Sequence, residues 1–363
     1  MKKNTLEIKR SLELLKDLTL LSGVSGNEKP IRKYLENELK SLANKTLHDN
    51  LGSVAFEFQG SCDSPRVLLC GHMDEIGFMV HSISAKGMIN FANLGGWDPR
   101  TLMSSAVEII TREGKKVFGL IGSVPVHHLK DPGGKLSIDD MYIDIGAESE
   151  KEVGEIFGVE KGNFIVPIPN FHFIEEKNYL VSKAFDDRVG VAVAIEAGKH
   201  FSKQKHPNTL ICAGSVQEEV GTRGAQTVAN LVKPDLAIVL EGAPGDDFPS
   251  NREESQAKMK GGVQLRLIDP TMIANPEFTD FAIKLAKENN IPLQIAVRKS
   301  GGTDAGKIHL SSLGVPTIVL AAPVRYAHSH NGMISLFDYK AMKDLVFLLV
   351  EKLDKKVLSG FIG

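Results

Sequence analysis

Apolar positions recur along this chain with two different periods. Residues 5–21 carry leucine at Leu6, Leu12, Leu14, Leu15, Leu18, Leu20 and Leu21, a spacing that predicts a helix packed on a core. Gly23-Val24-Ser25-Gly26-Asn27 breaks the pattern, and a second helix follows with Ile31, Tyr34, Leu35 and Leu39 on one face. Strands come next. Val54–Gln59 alternates, and Arg66-Val67-Leu68-Leu69-Cys70 is a continuous apolar run that recurs at Thr209–Val216, Leu236–Leu240 and Pro316–Ala321. Continuous runs suit strands buried on both faces by covering helices. Helical patterns separate them at Val189–Phe201, Gly224–Val232 and Pro276–Asn289, and a last helix opens at Asp338. Strands and helices alternating at these lengths predict an α/β fold, a mixed sheet sandwiched by helices.

Residues 77–171 read differently. Glycine is frequent, short alternating strands predominate, and Glu113-Gly114 and Gly133-Gly134 mark turns. Only Ser149–Gly158 reads as a helix, with Ser149 and Glu152 spaced as a capping box. This stretch is expected to be an inserted all-β module, barrel-like or PDZ-like. It interrupts an α/β domain made of residues 1–76 and 172–363.

Composition narrows the function classes. The chain has 363 residues, 42% apolar and 24% charged, with a net charge of -2, which argues against nucleic acid as a partner. No run reaches the ~20 apolar residues of a membrane span. The stretch after Met1-Lys2-Lys3 carries Glu7, Lys9, Arg10 and Glu13, so it lacks the apolar core of a secretion signal. Cys62, Cys70 and Cys212 form no metal-spaced pair and suit reduced thiols in a cytoplasm.

The chemistry is concentrated in five short segments: His72-Met73-Asp74, Asp186-Asp187, Glu218-Glu219, Glu241 and His328. Each falls at the end of a predicted strand or the start of a predicted helix. Ligands in open α/β sheets bind beyond the carboxyl ends of the strands. Buried charge is costly unless it is paired. Two histidines and several carboxylates converging on one sheet edge are readily satisfied by metal ions, and the count suits two, which suits hydrolysis.

The chain resembles the tetrahedral (TET) dinuclear metallo-aminopeptidases, also called glutamyl or deblocking aminopeptidases. The resemblance rests on Gly71-His72-Met73-Asp74-Glu75-Ile76-Gly77-Phe78-Met79-Val80, Ala184-Phe185-Asp186-Asp187-Arg188 and Val216-Gln217-Glu218-Glu219-Val220-Gly221. Gly301-Gly302-Thr303-Asp304-Ala305 and Arg325-Tyr326-Ala327-His328-Ser329 add to it. It implies removal of N-terminal residues from short peptides, with two divalent ions per subunit. Zinc is the default, and cobalt or manganese fits the ligand set nearly as well. The resemblance implies that His72 and Glu241 hold one ion, Glu219 and His328 the other, and that Asp186 bridges them. Glu218 is then the general base, and Asp74 orients His72. The family usually has aspartate where this chain has Glu241. Related enzymes hold the Asp-Asp peptide cis, so Asp186-Asp187 is expected to be cis.

Further expectations are narrower. Gly302, Thr303, Asp304 and Arg325 are candidate substrate contacts, and Arg325, Lys299 and Lys307 are cations that could favour an acidic residue. His127 or His128 could reach the site from the inserted module. His330 is expected to point away and Trp97 to pack. The family also implies that the inserted module (residues 77–171) pairs subunits, and that dimers assemble into a tetrahedral dodecamer. Rival readings are a dinuclear carboxypeptidase or deacylase on the same scaffold, and a non-catalytic metal-binding protein.

Overall fold

A computed structural model describes residues 2–124, 136–249 and 254–362, with side chains from residue 8 onward. His127, His128 and the Gly133-Gly134 turn lie outside the described residues. Among these residues, nine strands form one mixed sheet. Lys45–His48, Val54–Gln59, Thr209–Ser215, Arg66–His72, Leu236–Pro244, Thr317–Val324, Val263–Asp269 and Met272–Ile273 lie side by side in that order, and Leu293–Val297 pairs with Val263–Asp269. The four central strands are parallel, and their outer neighbours Val54–Gln59 and Val263–Asp269 run antiparallel. The central strands are almost wholly buried, as their continuous apolar runs require.

The helices fall close to their predicted places. Phe185–Phe201 crosses the three strands Arg66–His72, Thr209–Ser215 and Leu236–Pro244, and Lys2–Leu20 and Lys29–Leu39 pack against it. Arg223–Val232 and Pro276–Glu288 match their periodic stripes within one residue. Two boundaries differ instructively. The helix predicted from Asp338 opens at Leu336, because Ser335 takes the cap and accepts the Phe337 N–H at 3.2 Å, and a short helix, Lys355–Leu358, follows it. The strand from Leu236 runs on to Pro244, so Glu241 lies inside it rather than after it. No helix of the described residues is long and apolar enough to cross a membrane.

The inserted stretch closes on itself. Gly77–Ile83, Ile89–Leu94, Met141–Asp144, Lys116–Ser123, Ala106–Ile110 and Phe164–Pro167 form a closed antiparallel barrel in that order. It has a core of its own around Phe78, Val107, Ile109, Ile143 and Ile165. Trp97 stacks on Phe78 with centroids 4.8 Å apart and donates Nε1–H to the Gly77 carbonyl at 3.1 Å. It packs, as its sequence context implied.

A buried ion cluster ties the barrel entrance to the sheet. The Glu75 carboxylate accepts Lys183 Nζ at 2.6 Å, Arg188 Nη2 at 3.3 Å and the Gly23 N–H at 2.9 Å. Arg188 also donates to the carbonyls of Leu18 and Met73. All three charged side chains are buried, so removing the one carboxylate strands two cations. Replacing one partner of such a cluster costs about 3–5 kcal/mol. Glu75→Gln is therefore expected to lower the thermal unfolding midpoint clearly; a midpoint equal to wild type would show the cluster to be dispensable.

Candidate active site

The parallel strands bring the predicted acids and histidines to one edge. His72 ends its strand directly opposite Ser215 in register, and the turn after Ser215 carries Glu218 and Glu219. Glu241 pairs with Ala321 on the next strand, and the chain beyond Val324 leads to His328. Gly242 lets that strand approach closely: a Cβ there would lie 2.8 Å from the Asp186 Cα and the Phe185 carbonyl. The Asp186-Asp187 peptide is cis, as expected. Both residues depart from helical backbone angles at the start of Phe185–Phe201.

Two groups of donors form, and Asp186 belongs to both. One group is His72, Asp186 and Glu241; the other is Asp186, Glu219 and His328. Within each group one candidate ligand atom per residue lies within 4.8 Å of the others. His72 Nε2 is 3.1 Å from Asp186 Oδ1 and 3.9 Å from Glu241 Oε2. His328 Nε2 is 3.5 Å from Asp186 Oδ2 and 3.3 Å from Glu219 Oε2. So the two oxygens of Asp186 address different histidines.

Both imidazoles are set up to ligate. His72 Nδ1 faces the Asp74 main-chain carbonyl at 3.0 Å, and His328 Nδ1 faces the Gly96 carbonyl at 2.9 Å. A carbonyl only accepts, so Nδ1 carries hydrogen in each ring. The outer-partner arrangement leaves Nε2 for the cluster, which is how metal-ligating histidines are held. Two imidazole nitrogens with three carboxylates also make a donor set suited to divalent first-row cations. The residues fit the ions that the sequence implied.

The Asp74 side chain chiefly holds main chain, and the residue's own carbonyl is the nearer partner of the His72 ring. Its carboxylate is 3.5 Å from His72 Nδ1, farther than its own carbonyl. It accepts Ser25 Oγ–H at 2.6 Å and the N–H groups of Glu218 and Glu219 at 2.9 and 3.1 Å. Glu28 accepts the Gln217 N–H at 3.1 Å. Two buried carboxylates therefore clamp the turn that presents Glu218 and Glu219. Asp187 holds the opposite side, accepting the His72 N–H at 3.0 Å and the Gly190 N–H at 2.9 Å.

Crowded, buried acids resist ionisation. Burial pushes Glu219 and Glu241 up to about 8, and burial also raises Glu218. Burial disfavours charge on Asp186 too, but its hydrogen bonds to His328 and His72 win and hold it below the usual carboxylate range. Burial works against protonation of His328 as well, yet Asp186 and Glu219 outweigh it and raise it to about 9.

A cleft of about 760 Å³ opens beside these groups and is lined by Glu218, Glu219, Glu241, His328, Gly302 and Thr303 among others. Asp304 lies beneath it, buried, with Oδ2 bonded to Ser215 Oγ and Oδ1 unpaired. Arg325 is absent from the lining because Asp247 holds it through Nε at 2.8 Å. Lys299 lines the cleft and Lys307 does not. His330 turns to Ser105, 3.4 Å away, and stays out of both donor groups. Sequence reasoning missed Glu28 and Ser25, and also Arg266 in the cleft wall. The alternation Val263-x-Leu265-x-Leu267 is a strand signal for that wall, but Gln264 and Arg266 at its polar positions are buried.

Comparison with known proteins points to one family. The profile of the family described as M42 glutamyl aminopeptidase matches residues 52–345. A lysyl aminopeptidase of Pyrococcus furiosus is 32% identical over 346 residues, 94% of this chain and 97% of that protein. The crystal structure of a TET aminopeptidase from the marine sediment archaeon Thaumarchaeota archaeon SCGC AB-539-E09 superposes with a TM-score of 0.93 at 41% identity, covering 97% of this chain and 99% of the other. The Pyrococcus horikoshii TET1 peptidase, described as able to assemble into a tetrahedron or a large octahedral shell, superposes with a TM-score of 0.83 at 31% identity, covering 94% of this chain and all of the other.

The raised groups fix a pH dependence for protein stripped of metal. Glu219, Glu241 and His328 all have folded pKa values above their ordinary ones. The folded state then holds more protons than the unfolded one, and stability falls as pH rises. For the two glutamates the favourable contribution is complete below about 4.5 and gone above about 8; for His328 it is complete below about 6.5 and gone above about 9. A thermal midpoint that drops between about pH 6 and pH 9 is expected in the presence of chelator. A midpoint that rises over that range would contradict the assignment.

Proposed function

The chain belongs to the M42 glutamyl aminopeptidase family and is an aminopeptidase; from that premise we propose that it removes N-terminal residues from short peptides using two divalent ions. The observation that carries this reading is Asp186, whose two oxygens face two separate histidine–carboxylate groups. His72 and Glu241 would hold one ion, Glu219 and His328 the other, and Asp186 both. When bound, the ions polarise the scissile carbonyl and acidify water. Zinc suits the nitrogen and oxygen donors, and cobalt or manganese suits them nearly as well.

The remaining work falls to this chain's own residues. Glu218 lines the cleft next to Glu219 but belongs to neither donor group. Its raised pKa suits a group that takes a proton from water and passes it to the leaving amine. Asp74 and Glu28 fix the turn on which Glu218 sits, so the proton acceptor is placed before substrate arrives. The free amine of the substrate would dock against the acidic cluster, restricting cleavage to the first residue. Glu241 is one methylene longer than the usual aspartate and would offer its carboxylate to an ion from a position inside the strand.

Assembly follows the same footing. Residues 77–171 would form the pairing module of the domain made by residues 1–76 and 172–363. The barrel strand Lys116–Ser123 turns Phe118 and Leu120 outward, both exposed, and an apolar face of this kind suits subunit pairing. A tetrahedral dodecamer is the assembly most in keeping with the related shells. The names of the family and of the lysyl relative point to opposite side-chain charges, so preference for the first residue is set by each chain's own cleft.

Glu218→Gln should lower kcat by about 10²–10⁴ while bound metal, measured by atomic emission, stays at the wild-type level. Near wild-type hydrolysis by that variant would remove Glu218 from the role. The carboxypeptidase and deacylase alternatives are separated by comparing free-amine with N-acetylated substrates: only the free-amine set should be cleaved. Light scattering is expected to give a mass above that of one chain; a single monomer peak would reject the pairing module.

A further inference from the structure

Asp304 is a candidate substrate contact by its sequence context, yet the fold places it elsewhere. Gly302 and Thr303 line the cleft and Asp304 does not. The residue is 1% exposed. Its Oδ2 accepts the Ser215 hydroxyl and, at 3.9 Å, the Cys70 thiol. Its Oδ1 is buried with no partner among the described residues.

Sheet register shows which donor group this acid adjoins. Ser215 pairs with His72, and Cys70 pairs with Val239. Paired residues share a sheet face, and so do residues two apart. Cys70, His72, Ser215 and Glu241 therefore lie on one face, and Asp304 packs against two of them there. The helix Phe185–Phe201 covers the opposite face, since a Cβ on Gly71 would meet its Asp187, Gly190 and Val191. Asp186 thus reaches the cluster from the far side, next to Gly242. His72 and Glu241 come from the side that carries Asp304. Glu219 and His328 come from turns beyond the strand ends.

A carboxylate oxygen sealed from water without a donor is costly, and like charges close by add to that cost. Burial pushes Asp304 up to about 6, and the largest opposing pull comes from His72. Positive charge on the same face would offset the cost. An ion between His72 and Glu241 would supply it, and Asp304 stands outside that ligand set.

We propose that Asp304 is a positioning residue for the metal centre: its carboxylate, held by Ser215, is the buried counter-charge of the ion bound by His72 and Glu241, and it tightens that ion selectively. In the stripped protein the same carboxylate only repels its neighbours. Asp304 therefore strengthens ion binding without strengthening the metal-free fold, a combination that a purely structural residue does not give. The inference rests on the two-ion reading above.

The test is calorimetric titration of chelator-stripped protein with zinc at about pH 8, where an acid with a pKa near 6 is ionised. Wild type is compared with Asp304→Asn, which keeps an oxygen for the Ser215 hydroxyl and removes the charge, and with Asp304→Ser, which removes the charge in less space. Wild type should take up two equivalents. Each variant should bind one equivalent about tenfold or more weakly and the other within about threefold of wild type, since outer partners of metal ligands are worth about 10–100-fold in affinity. With the second group broken by His328→Ala, Asp304→Asn should weaken the remaining site by the same factor. Without metal, at least one of the two variants should unfold at or above the wild-type temperature. Unchanged zinc affinity in the folded variants, or equal weakening of both sites, would overturn the proposal. So would metal-free variants that both fail to fold or both unfold clearly below wild type, because the role would then be structural. Fewer than two equivalents in wild type would instead remove the two-ion reading, and this inference with it.

Discussion

Asp186 carries the tightest constraint in this molecule, because one carboxylate serves two clusters. Oδ1 lies 3.1 Å from His72 and Oδ2 lies 3.5 Å from His328. Those histidines come from chain segments 256 residues apart, counted from positions 72 and 328. The sheet must hold the ends of four parallel strands in register for that to happen. It must also admit Asp186 against Gly242, where no side chain fits. Parallel strands deliver this geometry because all their carboxyl ends finish at the same edge.

Keeping so many acids together requires outside support, and that support is main-chain hydrogen bonding. Asp74, Glu28 and Asp187 are not ligand candidates, yet each spends its oxygens on backbone N–H groups at the site. They convert flexible turns into fixed ones, which matters when a ligand misplaced by an ångström loses most of its value. The barrel takes part too. Its Gly95-Gly96 turn supplies the carbonyl that holds His328 Nδ1. Gly95 has positive φ, and a Cβ there would press on Ile76 and on Glu219. The inserted module is therefore joined physically to the second donor group.

Much of this was legible in the sequence where apolar periodicity was strong. Val54–Gln59 lies where its alternation put it, and the central strands and the helix Arg223–Val232 lie close to their patterns. The seven acids and histidines of the site were found because they interrupt or follow continuous apolar runs, where a charge is conspicuous. The outer strands Val263–Asp269 and Leu293–Val297 were not found. In the first of them Gln264 and Arg266 occupy buried positions, so polar residues sit where the pattern predicts solvent. That inversion is a mark of a functional wall, and it hid Arg266. The role of Asp74 was partly legible: its nearness to His72 shows in the sequence, but its bonds to residues 144 and 145 positions away do not. Arg325 was a reasonable candidate by charge, and only the fold reveals that Asp247 occupies it.

The central claim is that Asp186 joins two metal sites into one centre. Calorimetric titration of chelator-stripped protein with zinc tests it most directly, comparing wild type with Asp186→Asn. The account predicts two equivalents per chain in wild type and marked weakening of both in the variant, since both groups share that carboxylate. A single equivalent in wild type, or two sites of unchanged affinity in Asp186→Asn, would contradict it.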